Sequence, residues 1–276
     1  MSTILTINFI ILMVTGCLNL FLGFIAYLRA ADRKVGRDFF LLMVGVTIWI
    51  FGLAFLILAR TEAIALWVTR LHLLGPIFIP YFFHRFVAAI RQDVDHELPT
   101  GWKWFYRLFI PTFLICLPTP WMIRHASVWG TPTTIGPVYW LFGAYILMGM
   151  GHSIRSLVDY SRKAKSFEKV RVLYLLVAVT VGSAVGIGAN LLLRILVNLK
   201  FPLQNNDRFT AIGPLGSLIM AVIIAYAIIK HQLLDIKVIV RLTVVYGLLG
   251  AKAWPGIRWE GFKQHNKKEP ERPRLP

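Results

Sequence analysis

A few polar and ionisable side chains lie inside long apolar runs of this sequence, and any chemistry the chain performs has to start from them. Arg70, Tyr81, His84 and Arg85 share one run; Asn190 and Arg194, four residues apart, share another. Charges at membrane depth are costly and normally face a bundle interior or a cavity. On a helix turning about 100° per residue, Arg70, Ile77, Tyr81, His84 and Arg85 fall within an arc of roughly 100°. They predict one polar stripe. Arg70, Tyr81, His84, Asn190 and Arg194 are therefore the candidate ligand-binding residues. A pocket open to the outer face and holding Arg70 and Arg194 would suit an anionic or polar ligand. In the plainer account, Arg70 and Arg85 snorkel to the two interfaces and His84 bonds a backbone carbonyl.

These residues do not assemble an enzyme site. His72 and His84 have no carboxylate paired with them inside the runs, which is poor equipment for general acid–base catalysis. HExxH, GxSxG, P-loop and Cys/His metal spacings do not occur. Cys17 and Cys116 both fall inside apolar runs without ligand-spaced partners, so neither a disulfide nor a metal site is expected. The last run holds lysine only at its end, Lys230, which leaves no internal amine for a retinal Schiff base. The first and last runs lack internal charge, which weakens an ion pump or proton relay. No cofactor is expected.

The elements that must position the stripe are membrane helices. Only 16% of the 276 residues are charged and 57% are hydrophobic, against about 25% charged in soluble domains. The apolar residues come in blocks: Ile4–Leu28, Phe39–Ala59, Ile64–Ile90, Phe109–Ile123, Pro137–Ile154, Val172–Leu199 and Ala211–Ile229. Runs of about 18 residues or more can cross a hydrocarbon core of roughly 30 Å, and without period-two alternation they do so as helices. Ile4–Leu28 has no basic leader and is followed by Arg29, so it reads as a retained helix and not a signal peptide. The fourth run is short and broken by Pro111, Pro118 and Pro120, although Trp104–Tyr106 can extend it. The expected fold class is all-α, a polytopic bundle of seven transmembrane helices.

Loop charges set its direction. With the N-terminus outside, the cytoplasmic loops hold thirteen Lys/Arg, from Arg29, Arg33, Lys34 and Arg37 through to Lys169 and Arg171; the outer loops hold four, Arg60, Arg124, Lys200 and Arg208. The bias alternates correctly through six loops, as the positive-inside rule requires, and places the C-terminus inside. This placement also explains a net charge of +17 without nucleic acid, since no basic helix carries interleaved groove-reading residues. Trp102, Trp104, Trp121, Trp129, Tyr139 and Trp140 lie near run ends, as in an interfacial belt; core packing is the alternative for any one of them. Gly182 and Gly186 have a GxxxG spacing that favours close helix packing, within the bundle or between copies. Pro76, Pro80 and Pro214 should kink their helices.

After the seventh run the sequence reads Ala225-Tyr226-Ala227-Ile228-Ile229-Lys230-His231-Gln232-Leu233-Leu234-Asp235, and then Val238-Ile239-Val240-Arg241-Leu242-Thr243-Val244-Val245-Tyr246-Gly247-Leu248-Leu249. These stretches, with the seven-helix layout over roughly residues 4–249, resemble the N-terminal seven-transmembrane region of histidine kinases. The resemblance implies a bacterial sensory input module in the inner membrane, which passes a helix movement to a cytoplasmic output. It implies signal-coupling roles for His231, Asp235, Arg241 and Tyr246. The chain departs from complete kinases of that kind: neither a phosphoacceptor helix with an ATP-binding domain nor NxxxN and DxGxG boxes follow. From Gly250 the chain is basic and proline-rich, so it is expected to be disordered or held at a lipid surface, and a truncated or frameshifted product is the expectation.

The expected organisation is a sensor-like transmembrane domain over 1–229, a juxtamembrane signalling segment over 230–249 and a basic tail over 250–276. Its expected partners are the bilayer, anionic lipids at the cytoplasmic face, an unknown small ligand, and a second copy or a separate signalling protein; nucleic acid is not among them. The runner-up is a small transporter or permease subunit, which broken helices and midplane polar residues would fit; no inverted repeat relates its halves.

Overall fold

The computed structural model describes residues 3–30, 32–91, 98–126, 128, 133–164, 166–188 and 212–233. All of these but Leu233 belong to one compact unit, Met1–Gln232. Among the described residues the chain forms α1 (Thr3–Arg29), α2 (Arg33–Ile57), α3 (Glu62–Leu71), α4 (Leu74–Arg91), α5 (Thr100–Cys116), α6 (Pro137–Lys163), α7 (Ser166–Ile187) and α8 (Ile212–Leu233). Between α5 and α6 a small antiparallel hairpin pairs β1 (Ile123–His125) with β2 (Thr134–Ile135). The architecture is therefore a helical bundle, and the hairpin is its one addition to an all-α reading among the described residues.

Among the described residues three stretches are long and apolar enough to cross a bilayer: Leu5–Arg29, Arg33–Ile57 and Glu62–Arg91; Val172–Ile187 and Gly213–Ala227 are shorter apolar helices. The outward faces are apolar as well. Phe21, Leu28, Leu108, Ile115, Leu173, Val177, Ile219 and Tyr226 are all exposed, on helices from one end of the sequence to the other. Water would not tolerate so continuous an apolar surface, whereas lipid is its natural solvent. The chain is a multi-pass membrane protein.

Local sequence explains most helix ends. Asp32 caps α2 by accepting from the Lys34 amide at 2.7 Å, and Thr61 caps α3 by accepting from Ile64 at 3.3 Å. Pro137 opens α6, where its missing N–H is harmless. The predicted fourth run is shifted: its helix starts at Thr100 and stops at Cys116, and residues 117–122 are turns. The reason is Pro118 and Pro120, which cannot donate to a helix that would continue through them. Pro111 stays inside α5.

The run Ile64–Ile90 is two helices, α3 and α4, separated by a turn at His72 and Leu73. Pro76 cannot donate to the His72 carbonyl, so the ladder breaks there and restarts with Pro76 in the first turn of α4. Glycines bring α2 against this break. A Cβ at Gly52 would collide with His72 Cβ, and one at Gly75 would collide with the Gly45 carbonyl oxygen and stand 2.8 Å from the Trp49 nitrogen. Lipid tails supply no hydrophobic drive between helices, so such close backbone approach is how membrane helices gain contact. The same device joins α7 and α8, where a Cβ at Gly182 would lie 2.7 Å from Met220 Cβ. Gly182 thus packs within the bundle.

Two cores result. One gathers α1, α2, α4, α6, α7 and α8 around Phe39, Met43, Phe86, Leu157, Val179 and Ile224. The other joins α4, α5, the hairpin and the start of α6 through Ile77, Tyr106, Phe113, Met122 and Tyr145. Tyr139 is 2% exposed and Trp102 stacks among other rings, so these two are packing residues and not part of an interfacial belt. Trp104, Trp121 and Trp140 are exposed; Trp129 lies outside the described residues.

Candidate functional site

The predicted stripe divides at the α3–α4 break. Arg70, on α3, is 7% exposed; its Nη2 donates to the Ile123 carbonyl of β1 at 2.9 Å, and its guanidinium lies 5.6 Å from the Trp67 ring centre. It does not snorkel into water. Its role in the fold is to tie α3 to the hairpin. His84, on α4, is also buried, and its Nδ1 is 3.2 Å from the Tyr106 hydroxyl, not from a backbone carbonyl. Tyr106 donates its single proton to the Pro80 carbonyl at 3.2 Å, which leaves its oxygen to accept from His84 Nδ1–H. Trp102 and His152 close the other sides of the His84 ring, at centroid separations of 5.2 and 4.9 Å.

Tyr81 lies between α4 and α5, 5.2 Å from Tyr106, ring to ring. Arg85 is held by more than snorkelling: its Nη2 donates to Asp38 Oδ1 at 3.0 Å, and Arg37 meets the same oxygen at 3.1 Å. Arg91 donates to the Ser156 hydroxyl. These contacts bring the start of α2, the end of α4 and the C-terminal half of α6 to one end of the bundle. Asp38 is a buried carboxylate that the sequence reading did not single out: it is 4% exposed and ion-paired with arginines, not with His72 or His84. Asn190, Arg194, Asp235, Arg241 and Tyr246 lie outside the described residues, and so does the side chain of His231. The pocket expected to hold Arg70 and Arg194 thus rests, among the described residues, on Arg70 alone, whose Nη2 is engaged by Ile123.

A pocket lies elsewhere among the described residues of the bundle. A cavity of about 120 Å³ lies between α2, the α3–α4 break, α6, α7 and α8. Trp49, Leu53, Phe83, Phe142, Ile146 and Met220 form its apolar walls; His72, Ser183 and Ser217 bring the polar atoms. The prolines explain the space. Pro76 and Pro80 both line it, and a helix that bends at proline cannot pack flush against its neighbours. Gly182 and Gly186 add room by lacking side chains. Ser217 is satisfied, accepting from Asn19 Nδ2 at 3.1 Å and donating to the Pro214 carbonyl at 2.6 Å. Ser183, 8% exposed, has no hydrogen-bond partner for its hydroxyl among the described residues.

An apolar cavity with a few convergent polar atoms is the usual form of a small-molecule site. Its volume is close to that of engineered cavities that take up a benzene-sized molecule. Of the candidate ligand-binding residues, Arg70, Tyr81 and His84 do not line it, and Asn190 and Arg194 lie outside the described residues; Pro76 and Pro80, whose kinks were expected to open a pocket, do line it. Ser217 escaped notice because serine is unremarkable in a membrane helix; Ser183 stands in the small-residue stretch around Gly182 and Gly186, and His72 beside His84 as a poor acid–base candidate, and neither shows its place at a cavity until the helix breaks and α7 packs. Asn19 escaped for a similar reason: it carries no charge, and its partner is 198 residues away.

The family described as the N-terminal 7TM region of histidine kinase matches this chain over residues 11–237. No curated protein and no solved structure matches it.

Proposed function

This chain belongs to the family of N-terminal seven-transmembrane regions of histidine kinases, and from that membership we propose that it is a sensory input module whose ligand occupies the central cavity. The Ser183 hydroxyl at the cavity wall, which has no hydrogen-bond partner among the described residues, carries the assignment of the site. A buried hydroxyl without a partner loses free energy that a ligand acceptor or donor would restore. The ligand class is accordingly small and mainly apolar, with one hydrogen-bonding group. It reaches the site from the bilayer or the outer face. Arg70, Tyr81 and His84 then act around that site and not as its lining, with Arg70 holding the hairpin; Asn190 and Arg194 remain candidate ligand contacts outside the described residues.

In this reading the module crosses the inner membrane of a bacterium seven times, counting α3 and α4 as one broken span. The clustering of Arg29, Arg33, Arg37, Arg91, Arg155 and Arg162 at helix ends supports a cytoplasmic position for the junctions α1–α2, α4–α5 and α6–α7. The N-terminus is outside and residues 230–249, with His231, Asp235, Arg241 and Tyr246, lead into the cytoplasm toward a signalling output. Filling the cavity shifts α7 and α8 against the α3–α4 break, and only a ligand with different affinity for the two arrangements can do so.

The test is a chimera in which residues 1–249 drive a histidine-kinase cytoplasmic half in membrane vesicles. Inserting one, two, three or four alanines after residue 233 turns the output helix by about 100° per residue. Autophosphorylation should vary with insertion phase, and the cavity-filling Gly186→Leu should pin it at one level. Output indifferent to every insertion, together with solute uptake by proteoliposomes of the unmodified chain, would overturn the sensor in favour of a transporter.

A further inference from the structure

A second site lies at the edge of the bundle, and it does not depend on the sensory reading. Between α4 and α5 there is a groove of about 590 Å³, bordered by Tyr81, Arg85, Lys103, Tyr106, Arg107 and Ile110. Its α5 wall changes chemistry along the helix. Lys103 is at one end, Tyr106 and Arg107 follow one turn on, and Ile110 with Pro111 another turn beyond. The spacing i, i+3, i+4, i+7, i+8 keeps all five on one face over about 12 Å. The α4 wall runs antiparallel and agrees with it: Arg85 stands toward the cationic end and Tyr81 one turn toward the apolar end, ring against Tyr106. Three cations converge at the top, and aromatic and aliphatic surface continues below.

The outside of α5 shows what surrounds this groove. Only Tyr106 and Phe113 of the helix are buried. Leu108 and Ile115 are 65% and 73% exposed, and Trp104, 63% exposed, carries the Arg107 guanidinium 5.3 Å from its ring centre. Tryptophan and arginine side by side mark the headgroup level, with acyl chains beyond. We propose that the α4–α5 groove is a specific site for an anionic phospholipid. Its phosphate sits among Arg85, Lys103 and Arg107, and its first acyl carbons lie along Tyr81, Ile110 and Pro111. The occupant is a lipid and not a free anion because the cationic end continues into apolar wall, which a small hydrated ion cannot use. Basic pockets between membrane helices recognise lipid phosphates in this way. Because Arg85 is also the partner of buried Asp38, the headgroup and α2 share one guanidinium, and occupancy of the groove bears directly on the α2–α4 contact.

The linker between α4 and α5 carries Asp93, Asp95 and Glu97, outside the described residues, and these acids are the natural competitors for the same cations. Native mass spectrometry of the full chain, released from detergent micelles titrated with phosphatidylglycerol or with phosphatidylcholine, tests the site. One phosphatidylglycerol should be retained where phosphatidylcholine is lost. Lys103→Gln with Arg107→Gln should weaken that retention by about tenfold or more, while Arg162→Gln with Lys163→Gln, at the end of α6, should leave it unchanged. Inorganic phosphate in large excess should not displace the lipid. Equal retention of the two lipids, no effect of the Lys103 and Arg107 changes, or displacement by phosphate would each overturn the assignment. If the unmodified chain retains no lipid, Asp93→Asn, Asp95→Asn and Glu97→Gln together decide: retention then upholds the groove with the linker as its competitor, and absence in both overturns it.

Discussion

Arg85 of α4 and Asp38 of α2 form an ion pair at 3.0 Å in which the carboxylate side chain is 6% exposed and the guanidinium 29%. Asp38 also receives Arg37, so a single buried anion holds two cations at one end of the bundle. The pair resolves a conflict between local rules. An acid just inside an apolar run is unfavourable alone, and an arginine three turns into α4 is unfavourable alone; together they are tolerated because each satisfies the other.

Asp38→Asn is expected to destabilise the protein by about 1–3 kcal/mol, below the full loss seen for wholly buried pairs because Arg85 retains some access to solvent. Thermal unfolding in mixed micelles reads this. Combining Asp38→Asn with Arg85→Gln should destabilise by less than the sum of the two single changes, and strict additivity would show that the pair is not coupled.

The two glycines of the GxxxG spacing should behave oppositely. A Cβ at Gly182 would lie 2.7 Å from Met220 Cβ, whereas at Gly186 the nearest atom is a Trp49 ring carbon at 3.9 Å. Gly182→Ala is therefore expected to cost about 1–3 kcal/mol through overpacking. Gly186→Ala should stabilise by roughly 0.5–1 kcal/mol through helix propensity alone. Melting temperatures of the two variants should move in opposite directions, and a shared direction would mean that α7 and α8 do not meet here.

Asn19 and Ser217 make a polar link between α1 and α8 at 3.1 Å. Ser217→Ala strands the Asn19 amide, whereas Asn19→Leu leaves Ser217 still donating to Pro214. Ser217→Ala should thus cost about 0.5–2 kcal/mol, more than Asn19→Leu, since an unpaired buried donor costs more than a removed one. Unfolding by denaturing detergent gives the order, and the reverse order would contradict the contact.

Tyr106 and Tyr145 both donate to carbonyls of α4, but Tyr106 also accepts from His84. Tyr106→Phe leaves His84 unpaired and should cost about 1–3 kcal/mol; Tyr145→Phe removes one neutral bond and should cost about 0.5–1.5 kcal/mol. Equal effects in the same unfolding assay would show that His84 does not rely on the hydroxyl.

Membrane character, the helices and their polar ends were legible in the sequence because run length and charge placement are local, one-dimensional properties. Six of the seven apolar runs fall on described helices, the third as two; helices α2, α6 and α7 extend six to nine residues beyond their runs into basic flanking sequence. The fourth shifted because prolines 118 and 120 end a helix that aromatic residues before Phe109 begin. The site was not legible in the same way. Treating residues 64–90 as one helix placed Arg70 and His84 on a common face, and the turn at His72 and Leu73 removed that phase relation.

Which polar groups meet was decided only by the tertiary structure. Asp38 and Arg85 are 47 residues apart, Arg70 and Ile123 are 53, and Asn19 and Ser217 are 198. The rotation of each helix about its axis sets those meetings, and that rotation follows from glycine contacts and proline breaks acting between helices. A hydrophobic run is equally apolar at every rotation, so its sequence fixes that it enters the membrane and leaves open what it faces there; packing against neighbouring helices settles that.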